Sequence, residues 1–336
     1  MTAADGIQFS AAAFLPGVGV TLLGVPFAGT LARYLTNYNP VIDEINVTEK
    51  NGVNKISVSE EQPRSWSLIQ MFKRTYKLEG IAGFFNGAFP SVLSYLVSSL
   101  PAAIVLGVAV AKGTSPTDPA TTTGTLGRAW AWFTQTGNGV LFDVAFNLLV
   151  APFNVLAARA FVSAYRLPSF NLKSVMTESE QSNPLRLYQI PGLVTSTILD
   201  VLVGRALTFA DADILWSYGP EGEFAWSLFS ALVQAPFLLV TTRIQSHPSD
   251  ADGTPLPVGP RSSNSAEDDI LVRPVRYGGV VDAVQSIIAE ENWPTLFRGA
   301  FWGVVFAVGR AAFNQYILKE LQSGALTGQP PAPVIA

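Results

Sequence analysis

Residues 26–33 read PFAGTLAR and end a long uncharged run of sequence. The same frame, Pro-Phe followed by five residues and then arginine, returns as PFNVLAAR at 152–159 and as PFLLVTTR at 236–243. A unit that returns every ~80–125 residues indicates a chain built from three related repeats. Because proline inside an apolar helix removes a backbone hydrogen bond, we expect an equivalent kink at each proline. These prolines are Pro26, Pro152 and Pro236.

The composition is that of a membrane protein. Charged residues make up 14% and hydrophobic residues 49% of the 336 residues, and the mean hydropathy is +0.31. A soluble chain of this length would need a more polar surface. The sequence holds no cysteine, which excludes disulfides, thiolate chemistry and cysteine-based metal sites. A net charge of -4 and a pI near 5.1 argue against a nucleic-acid partner, which requires a basic face.

Uncharged runs predict the membrane spans. Ile7–Ala32 and Ile81–Ala111 carry no charge and exceed the ~20 residues that cross a bilayer. Phe224–Thr242 is a third clean run, and three others are interrupted by a few charges. Since backbone groups in lipid must bond internally, we expect an all-α membrane protein with six transmembrane helices in three pseudo-repeats and short amphipathic surface helices. The predicted helices are roughly 8–37, 86–112, 128–163, 188–216, 223–246 and 298–322.

The loops group these helices into pairs. Long polar loops, Asn39–Gln62 and Ser246–Arg276, lie within the first and third pairs, and Ser217–Glu223 reads as a short turn between pairs. The third-pair loop is rich in Pro, Ser, Asp and Gly, which is typical of disorder. The sequence near Met1 has no basic region, so we expect neither a cleaved secretory signal nor an Arg-rich presequence. The predicted repeats are 1–115, 116–218 and 219–322, followed by a disordered tail at 323–336.

A second motif follows the Pro-Phe frame in the first and third repeats. Glu79 precedes Gly87 by eight residues, and Glu291 precedes Gly299 by the same spacing. In the second repeat the nearest match is the segment Leu187–Gln189, and no glycine follows it in register. The second repeat therefore reads as an eroded copy.

Together, the frames and the Glu-to-Gly spacing resemble the mitochondrial carrier family along nearly the whole chain. The resemblance implies that lipid head groups, cardiolipin if the membrane contains it, bind where surface helices and even-numbered helices start. Free N–H groups and the helix dipole suit phosphate there. The alternative is close helix packing by glycine and an interfacial aromatic belt. The residues concerned are Phe85, Gly87, Tyr277, Gly279, Phe297 and Gly299.

The chain departs from the family where the family closes its central cavity. In the family each kinked helix carries an acid two residues after the proline and a base five residues after it, and these charges pair between helices. Here the acid positions hold Ala28, Asn154 and Leu238, and the base positions hold Leu31, Ala157 and Thr241. The chain therefore cannot use the charged gate of the family.

Two functions remain open. The chain can be a divergent transporter that moves a small, anionic solute by alternating access with apolar or hydrogen-bonded gates. It can instead be a non-transporting adaptor of the mitochondrial outer membrane that acts as a scaffold in fusion, morphology or lipid handling. The acidic pI and the long polar loops fit an adaptor, whereas most carriers transport. We expect transport and a multi-pass location in a mitochondrial membrane, with the inner membrane favoured over the outer.

Charges at bilayer depth mark the candidate binding site, since they cost ~2.5–3.5 kcal/mol on insertion scales and tend to be functional. The tetrapeptide Val-Gly-Arg-Ala occurs twice and places Arg205 and Arg310 at equivalent depth in the fourth and sixth predicted helices. Two arginines facing one cavity would bind a carboxylate or phosphate, with Asn147 contributing from the third helix. The alternative is that Asp143 and Asp200 neutralise the arginines and merely hold helices together.

The frame arginines Arg33, Arg159 and Arg243 have a different expected role. Each lies near a predicted helix end, where a long basic side chain can reach lipid phosphates. It can also bond to carbonyl groups at the C-terminal end of the helix. We expect these arginines to be structural and lipid-facing.

The sequence indicates no enzyme. The single histidine, His247, lies in a polar loop without a metal-binding or catalytic cluster around it. We expect no catalytic residue, no metal and no cofactor, apart from bound cardiolipin or another phospholipid. The expected partners are membrane lipids, a small-molecule solute for a transporter, or a protein partner through the polar loops for an adaptor, with no nucleic acid.

Overall fold

The computed structural model describes the backbone of residues 3–39, 45–49, 52–56, 67–111, 137–163, 171–249, 272–273 and 275–305. Side chains are described within these ranges except for 3–16, 45–56, 101–111, 137–138, 209–221 and 223. Arg310, most of the predicted sixth helix and the tail lie outside the described residues.

The described secondary structure is helical except for one antiparallel hairpin. The α-helices are α1 (Ala3–Thr36), α2 (Leu68–Gly83), α3 (Ala88–Ala111), α4 (Gly137–Val162), α5 (Glu178–Ser182), α6 (Leu193–Ser246) and α7 (Val280–Glu291). Short 3-10 helices cover Leu172–Val175, Pro184–Gln189 and Trp293–Phe297, and a further helix begins at Ala300. The prolines of the three frames lie inside α1, α4 and α6, and their kinks stay a prediction.

The hairpin lies in the first long loop, where the sequence reading placed no regular structure. It pairs β1 (Ile45–Glu49) with β2 (Gly52–Ile56), and Ile45 stands opposite Ile56. The signal that could have revealed it is the Asn51-Gly52 dipeptide between short runs with alternating apolar residues.

Three described segments are long and apolar enough to cross a membrane: Gly17–Thr36, Gly139–Val162 and Phe224–Ser246. Each contains one Pro-Phe frame and its arginine. A fourth candidate is the pair formed by α2 and the first part of α3, Ala88–Leu100, which meet at a bend of 74°. The chain is therefore a helical protein with at least three candidate spans, and the predicted total of six goes beyond what these residues show.

Helix α6 combines the two helices predicted at 188–216 and 223–246. The helical assignment runs through Leu193–Ser246 without a gap, including the residues predicted to form a turn. It is not one straight helix, because Trp226 Nε1 donates a hydrogen bond to the Leu207 carbonyl at 3.2 Å, across 19 positions of sequence. A straight helix would separate these residues by ~28 Å. The chain therefore reverses direction between Leu207 and Trp226, and the two arms of α6 lie side by side.

The core lies where the helices that carry the three frames end. Leu35 of α1, Val155 of α4 and Leu239 of α6 are buried in one apolar cluster, together with Tyr277 and Ile287. Helix α4 packs against α1, α3 and α6, and α1 packs in addition against α2 and α3. This core fixes the C-terminal ends of the three helices against one another.

Helices α2 and α7 each follow a long loop. Helix α7 packs against this core through Ala283 and Ile287, and α2 packs against α1. Ser67 and Gln70 form a capping box that fixes the start of α2. The helix buries Met71 and exposes Tyr76. Such a division between a buried and an exposed face is that of an amphipathic surface helix.

Candidate functional site

Three buried ion pairs repeat at the core end of the bundle. Each frame arginine bonds to a glutamate that follows it in the same predicted repeat. The pairs are Arg33–Glu79 at 2.7 Å, Arg159–Glu180 at 2.6 Å and Arg243–Glu291, in which Nη2 lies 3.0 Å from Oε2. No side chain in these pairs is more than 3% exposed. Each Pro-Phe frame is therefore accompanied, later in its repeat, by a glutamate that pairs with the frame arginine.

The same arginines also connect the repeats in a closed cycle. Arg33 Nε donates to the Phe161 carbonyl of α4 at 2.6 Å. Arg159 Nη2 donates to the His247 carbonyl, just after α6, at 2.7 Å. Arg243 Nε donates to the Leu35 carbonyl of α1 at 3.0 Å. This arginine ring, formed by Arg33, Arg159 and Arg243, fastens the ends of the three helices together.

The expectation that these arginines face lipid is wrong. Their exposed fractions are 1%, 1% and 2%. They do bond to C-terminal carbonyl groups, but to those of the neighbouring helix rather than their own. A buried guanidinium requires a countercharge and acceptors, and the paired glutamate with the neighbouring carbonyl supplies both.

The Glu180 carboxylate is held by a dense set of donors. It accepts bonds from Arg159, from the Thr177 N–H at 2.9 Å and from the Ser249 N–H at 3.0 Å. Burial alone would raise its pKa, but the bond and the charge of Arg159, with the two N–H donors, lower the pKa to about 2. Glu180 therefore stays ionised at every physiological pH.

The carbonyl group that Arg159 bonds to belongs to His247, just after α6, and the His247 imidazole is also buried. The imidazole plane stands edge-on to the Tyr277 ring, with 5.2 Å between ring centroids. Burial, reinforced by Arg273, Arg159, Arg243 and Arg276, lowers the pKa of His247 to about 4. The imidazole is therefore neutral at physiological pH and serves as a packed ring.

Both long loops leave the bundle at the arginine ring. The Asn39 N–H, at the root of the first loop, donates to Glu291 Oε2 at 3.2 Å. Ser249, at the root of the third, bonds through its N–H to Glu180. The sequence left the relative side of these loops open, and these contacts put both roots at the same end.

A left-handed glycine follows each ring glutamate and precedes a helix. These glycines are Gly87, Gly192 and Gly299, with φ of 83°, 86° and 94°. The sequence reading found no glycine in register in the second repeat. Gly192 takes that place, twelve residues after Glu180 instead of eight. Because this spacing is four residues longer than in the other repeats, the sequence reading recognised neither Glu180 nor Gly192 as part of the motif.

Contacts at these glycines favour close packing over lipid binding. A Cβ on Gly87 would lie 2.7 Å from the Phe161 ring, and one on Gly299 would lie 2.9 Å from Leu35 Cδ2. Tyr277 is 2% exposed, so its side chain does not face lipid. Its hydroxyl lies 3.4 Å from Arg243 Nη1.

The other three predicted lipid-binding residues remain accessible. Phe85 and Phe297 are 45% and 40% exposed. A Cβ on Gly279 would meet nothing within 4 Å. Their contact with lipid stays a prediction.

A polar stripe runs along α4 from the ring end. Asn154, in one of the positions where the carrier family has an acid, accepts a hydrogen bond from Ser94 of α3 at 2.6 Å. Asn147 and Asp143 follow on the same helix face, at spacings of seven and four residues. Asn147 Nδ2 donates to the Asp143 carbonyl at 2.8 Å. Within this stripe, Asn154 contacts α3, whereas the Asn147 side chain is exposed.

Asp143 ends the stripe in an ion pair with Arg205 on the first arm of α6. Arg205 Nε donates to Asp143 Oδ2, and the two side chains are 26% and 27% exposed. The structure pairs Arg205 with an acid, which is the neutralisation alternative rather than a free cation. The role of Asn147 in binding stays a prediction.

Asp200 lies on the interior face of the same arm. The buried positions Leu193, Ser196, Thr197 and Leu207 form a helical stripe, and Asp200 falls in the middle of it. Its side chain is nevertheless exposed. Along α6, this exposed carboxylate therefore lies between the arginine ring and the Asp143–Arg205 pair.

The pair lies far from the arginine ring. Along α4, Asp143 precedes Arg159 by sixteen residues, or ~24 Å of helix. A bilayer core is ~30 Å thick. The candidate span begins at Gly139, four residues before Asp143. The structure therefore has a closed polar end and, near the opposite end of the span, a partly exposed charge pair.

No protein-family model matches the sequence. No curated protein matches it significantly.

Proposed function

We propose that this chain is a carrier-like, multi-pass protein that moves a small polar solute across a mitochondrial membrane, with the inner membrane favoured, by alternating access. The observation that carries the proposal is the closed cycle of the arginine ring. One Arg, one Glu and one left-handed Gly recur in each third of the chain. This recurrence supports the arrangement of six helices in three repeats.

The arginine ring can act as a gate that needs no ion pairs between repeats. Each arginine keeps its glutamate within one repeat, whereas its bond to a carbonyl group crosses to the next repeat. Separating the three helix ends would break these three bonds, together with neutral-donor contacts such as Asn39 N–H to Glu291 and Ser249 N–H to Glu180, and leave every Arg–Glu pair intact. A bond from a charged donor contributes ~1.5–3 kcal/mol net, so opening requires a moderate free energy.

The opposite side of the bundle supplies the solute path. The Asp143–Arg205 pair is partly exposed and Asp200 is exposed, while the ring end is sealed by buried side chains. In this proposal the structure represents the state that is closed at the ring end. The Ser94–Asn154 bond, between the pair and the arginine ring, would be the neutral replacement for a family ion pair.

Distances across the arginine ring test alternating access. Because the sequence has no cysteine, spin labels at Val162→Cys and Gln245→Cys would be the only reactive sites. The distance between the two labels is measured in liposomes, with and without a mixture of amino acids, 2-oxo acids and phosphate. We expect two distance populations whose ratio changes with solute. The matched control, Leu141→Cys with Val162→Cys, lies within α4 and should give one distance. A single, unchanging distance across the ring rejects transport.

The second candidate function is an outer-membrane adaptor. The β1–β2 hairpin favours it, because a two-stranded hairpin has two open edges and is marginal alone. Deletion of 41–61 should abolish an adaptor function and change transport little. Protease protection in intact mitochondria and in mitoplasts then locates the loop. Cleavage of a tagged first loop in intact mitochondria favours the adaptor, and protection in mitoplasts favours a carrier-like orientation.

A further inference from the structure

We infer that the solute is a zwitterion of the α-amino acid type, whose carboxylate binds Arg205 and whose ammonium binds Asp143. This inference rests on the proposed transport function and names the substrate class of the same site. It replaces the sequence-based expectation of a simple anion.

The existing ion pair argues against a simple anion. Arg205 is already paired with Asp143, and both side chains are partly exposed. An anion that took Arg205 would leave Asp143 without its cation. An unpaired charge in a span is strongly unfavourable.

A zwitterion avoids that loss because it replaces both members of the pair at once. Its carboxylate takes the guanidinium and its ammonium takes the Asp143 carboxylate, so every charge keeps a partner. The guanidinium suits a carboxylate through two parallel N–H bonds. The Asn147 amide oxygen, one turn along α4, is a further acceptor for the ammonium end.

Accessibility fits this exchange. About a quarter of each side chain, 26% of Arg205 and 27% of Asp143, is exposed. The arginine ring differs, because its ion pairs are at most 3% exposed and no solute reaches them. Of these two kinds of charge pair, only the partly exposed Asp143–Arg205 pair is accessible to a ligand.

The test uses purified full-length protein in liposomes of mixed phosphatidylcholine and cardiolipin. One set is loaded with the twenty standard amino acids and another with the matching 2-oxo acids, which share side chains and carboxylate but lack the ammonium. We expect exchange of the amino acid pool to exceed that of the 2-oxo acid pool by about tenfold. Equal exchange of both pools, or exchange of the 2-oxo acids alone, overturns the inference.

Variants connect the preference to the pair. Asp143→Asn removes the site for the ammonium and leaves Arg205 free, so the preference should reverse in favour of the 2-oxo acids. The double variant Asp143→Asn/Arg205→Gln leaves no unpaired charge and should lose both activities while remaining folded. Glu178→Gln, at an exposed position of α5, is the matched control and should behave as the parent protein. An unchanged preference in Asp143→Asn overturns the inference.

The spin-label distances separate this inference from the proposed function. Two distance populations across the arginine ring, with no exchange of amino acids, would reject the zwitterion and retain alternating access. A single distance with no exchange of either pool would reject both. Two populations together with amino acid exchange would support both.

Discussion

The Nε atom of Arg243 donates to the carbonyl of Leu35 at 3.0 Å and so links the third frame back to the first. The two residues are 208 positions apart. This bond closes the arginine ring, because the other two links run from the first frame to the second and from the second to the third. The closed end of the bundle therefore forms only when all three repeats are in place.

Breaking one ion pair of the ring should be strongly destabilising. Arg159→Met leaves the buried Glu180 carboxylate without its cation, and such a loss costs ~3–5 kcal/mol. We expect a clear fall in the unfolding temperature of the purified protein in detergent, followed by tryptophan fluorescence.

The double variant Arg159→Met/Glu180→Met separates the orphaned charge from the lost contact. With both charges absent, apolar side chains can fill the site, so the double variant should be more stable than Arg159→Met alone. Equal stability of the single and double variants would show that Glu180 is not held by Arg159.

Gly192→Ala should destabilise the junction between the second and third repeats. Gly192 has φ of 86°, and a Cβ there would lie 2.9 Å from the Val280 N atom. Left-handed strain costs ~1–2 kcal/mol, and the backbone contact adds to it. Thermal unfolding should therefore begin at a lower temperature.

Gly204→Ala is the matched control for that prediction. It lies within α6, with nothing within 4 Å of the added Cβ. Alanine is favoured over glycine in a helix by ~0.5–1 kcal/mol, so this variant should be slightly stabilised. Similar losses in both variants would argue against a special role for Gly192.

Acid should weaken the fold through His247. The pKa of the buried imidazole is lowered to about 4, whereas the unfolded chain has the ordinary value of 6.5. Between these values the unfolded state binds a proton that the folded state does not, so stability falls as the pH falls from 6.5 to 4. The full effect is about 3 kcal/mol.

Unfolding temperatures at pH 7.5 and 5, in one detergent, measure this dependence. His247→Phe keeps an aromatic ring against Tyr277 without the titration, so its unfolding temperature should change less between these pH values. The change in the parent protein would then exceed that of the variant. Equal changes in the two proteins would assign the acid sensitivity to other groups.

Much of the helical layout could be predicted from the sequence, because uncharged runs and Pro-Phe frames are local signals. The predicted 86–112 corresponds to α3 at Ala88–Ala111, and the predicted end at 246 is the end of α6. The charge pair could also be predicted in part, since Asp143 and Arg205 interrupt apolar runs at similar depth. No local sequence signal indicated whether Arg205 would bind a solute or would be neutralised by an acidic side chain.

The arginine ring could not be predicted, because its partners are distant in sequence. Arg33 lies 128 residues from Phe161 and 46 from Glu79. A basic residue near a helix end has the same local pattern whether it faces lipid or the core. In the second repeat the altered spacing between Glu180 and Gly192 also removed the only regular signal.

Asn292 is strained in a way that glycine would relieve. It follows the ring glutamate Glu291 with φ of 73° and ψ of 154°, whereas Gly80, in the same place after Glu79, has φ of 67° and ψ of -163°. This region of φ and ψ is almost restricted to glycine, and another residue there costs ~1–3 kcal/mol. Asn292→Gly should therefore raise the unfolding temperature of the protein in detergent, by a few degrees per kcal/mol. The reciprocal change, Gly80→Asn, should lower it by the same mechanism.

Because the strain lies beside a ring glutamate, Asn292→Gly should also favour the closed distance between labels at Val162 and Gln245. A variant that is no more stable than the parent protein, or that shifts those distances toward the open population, would contradict this account of the third repeat.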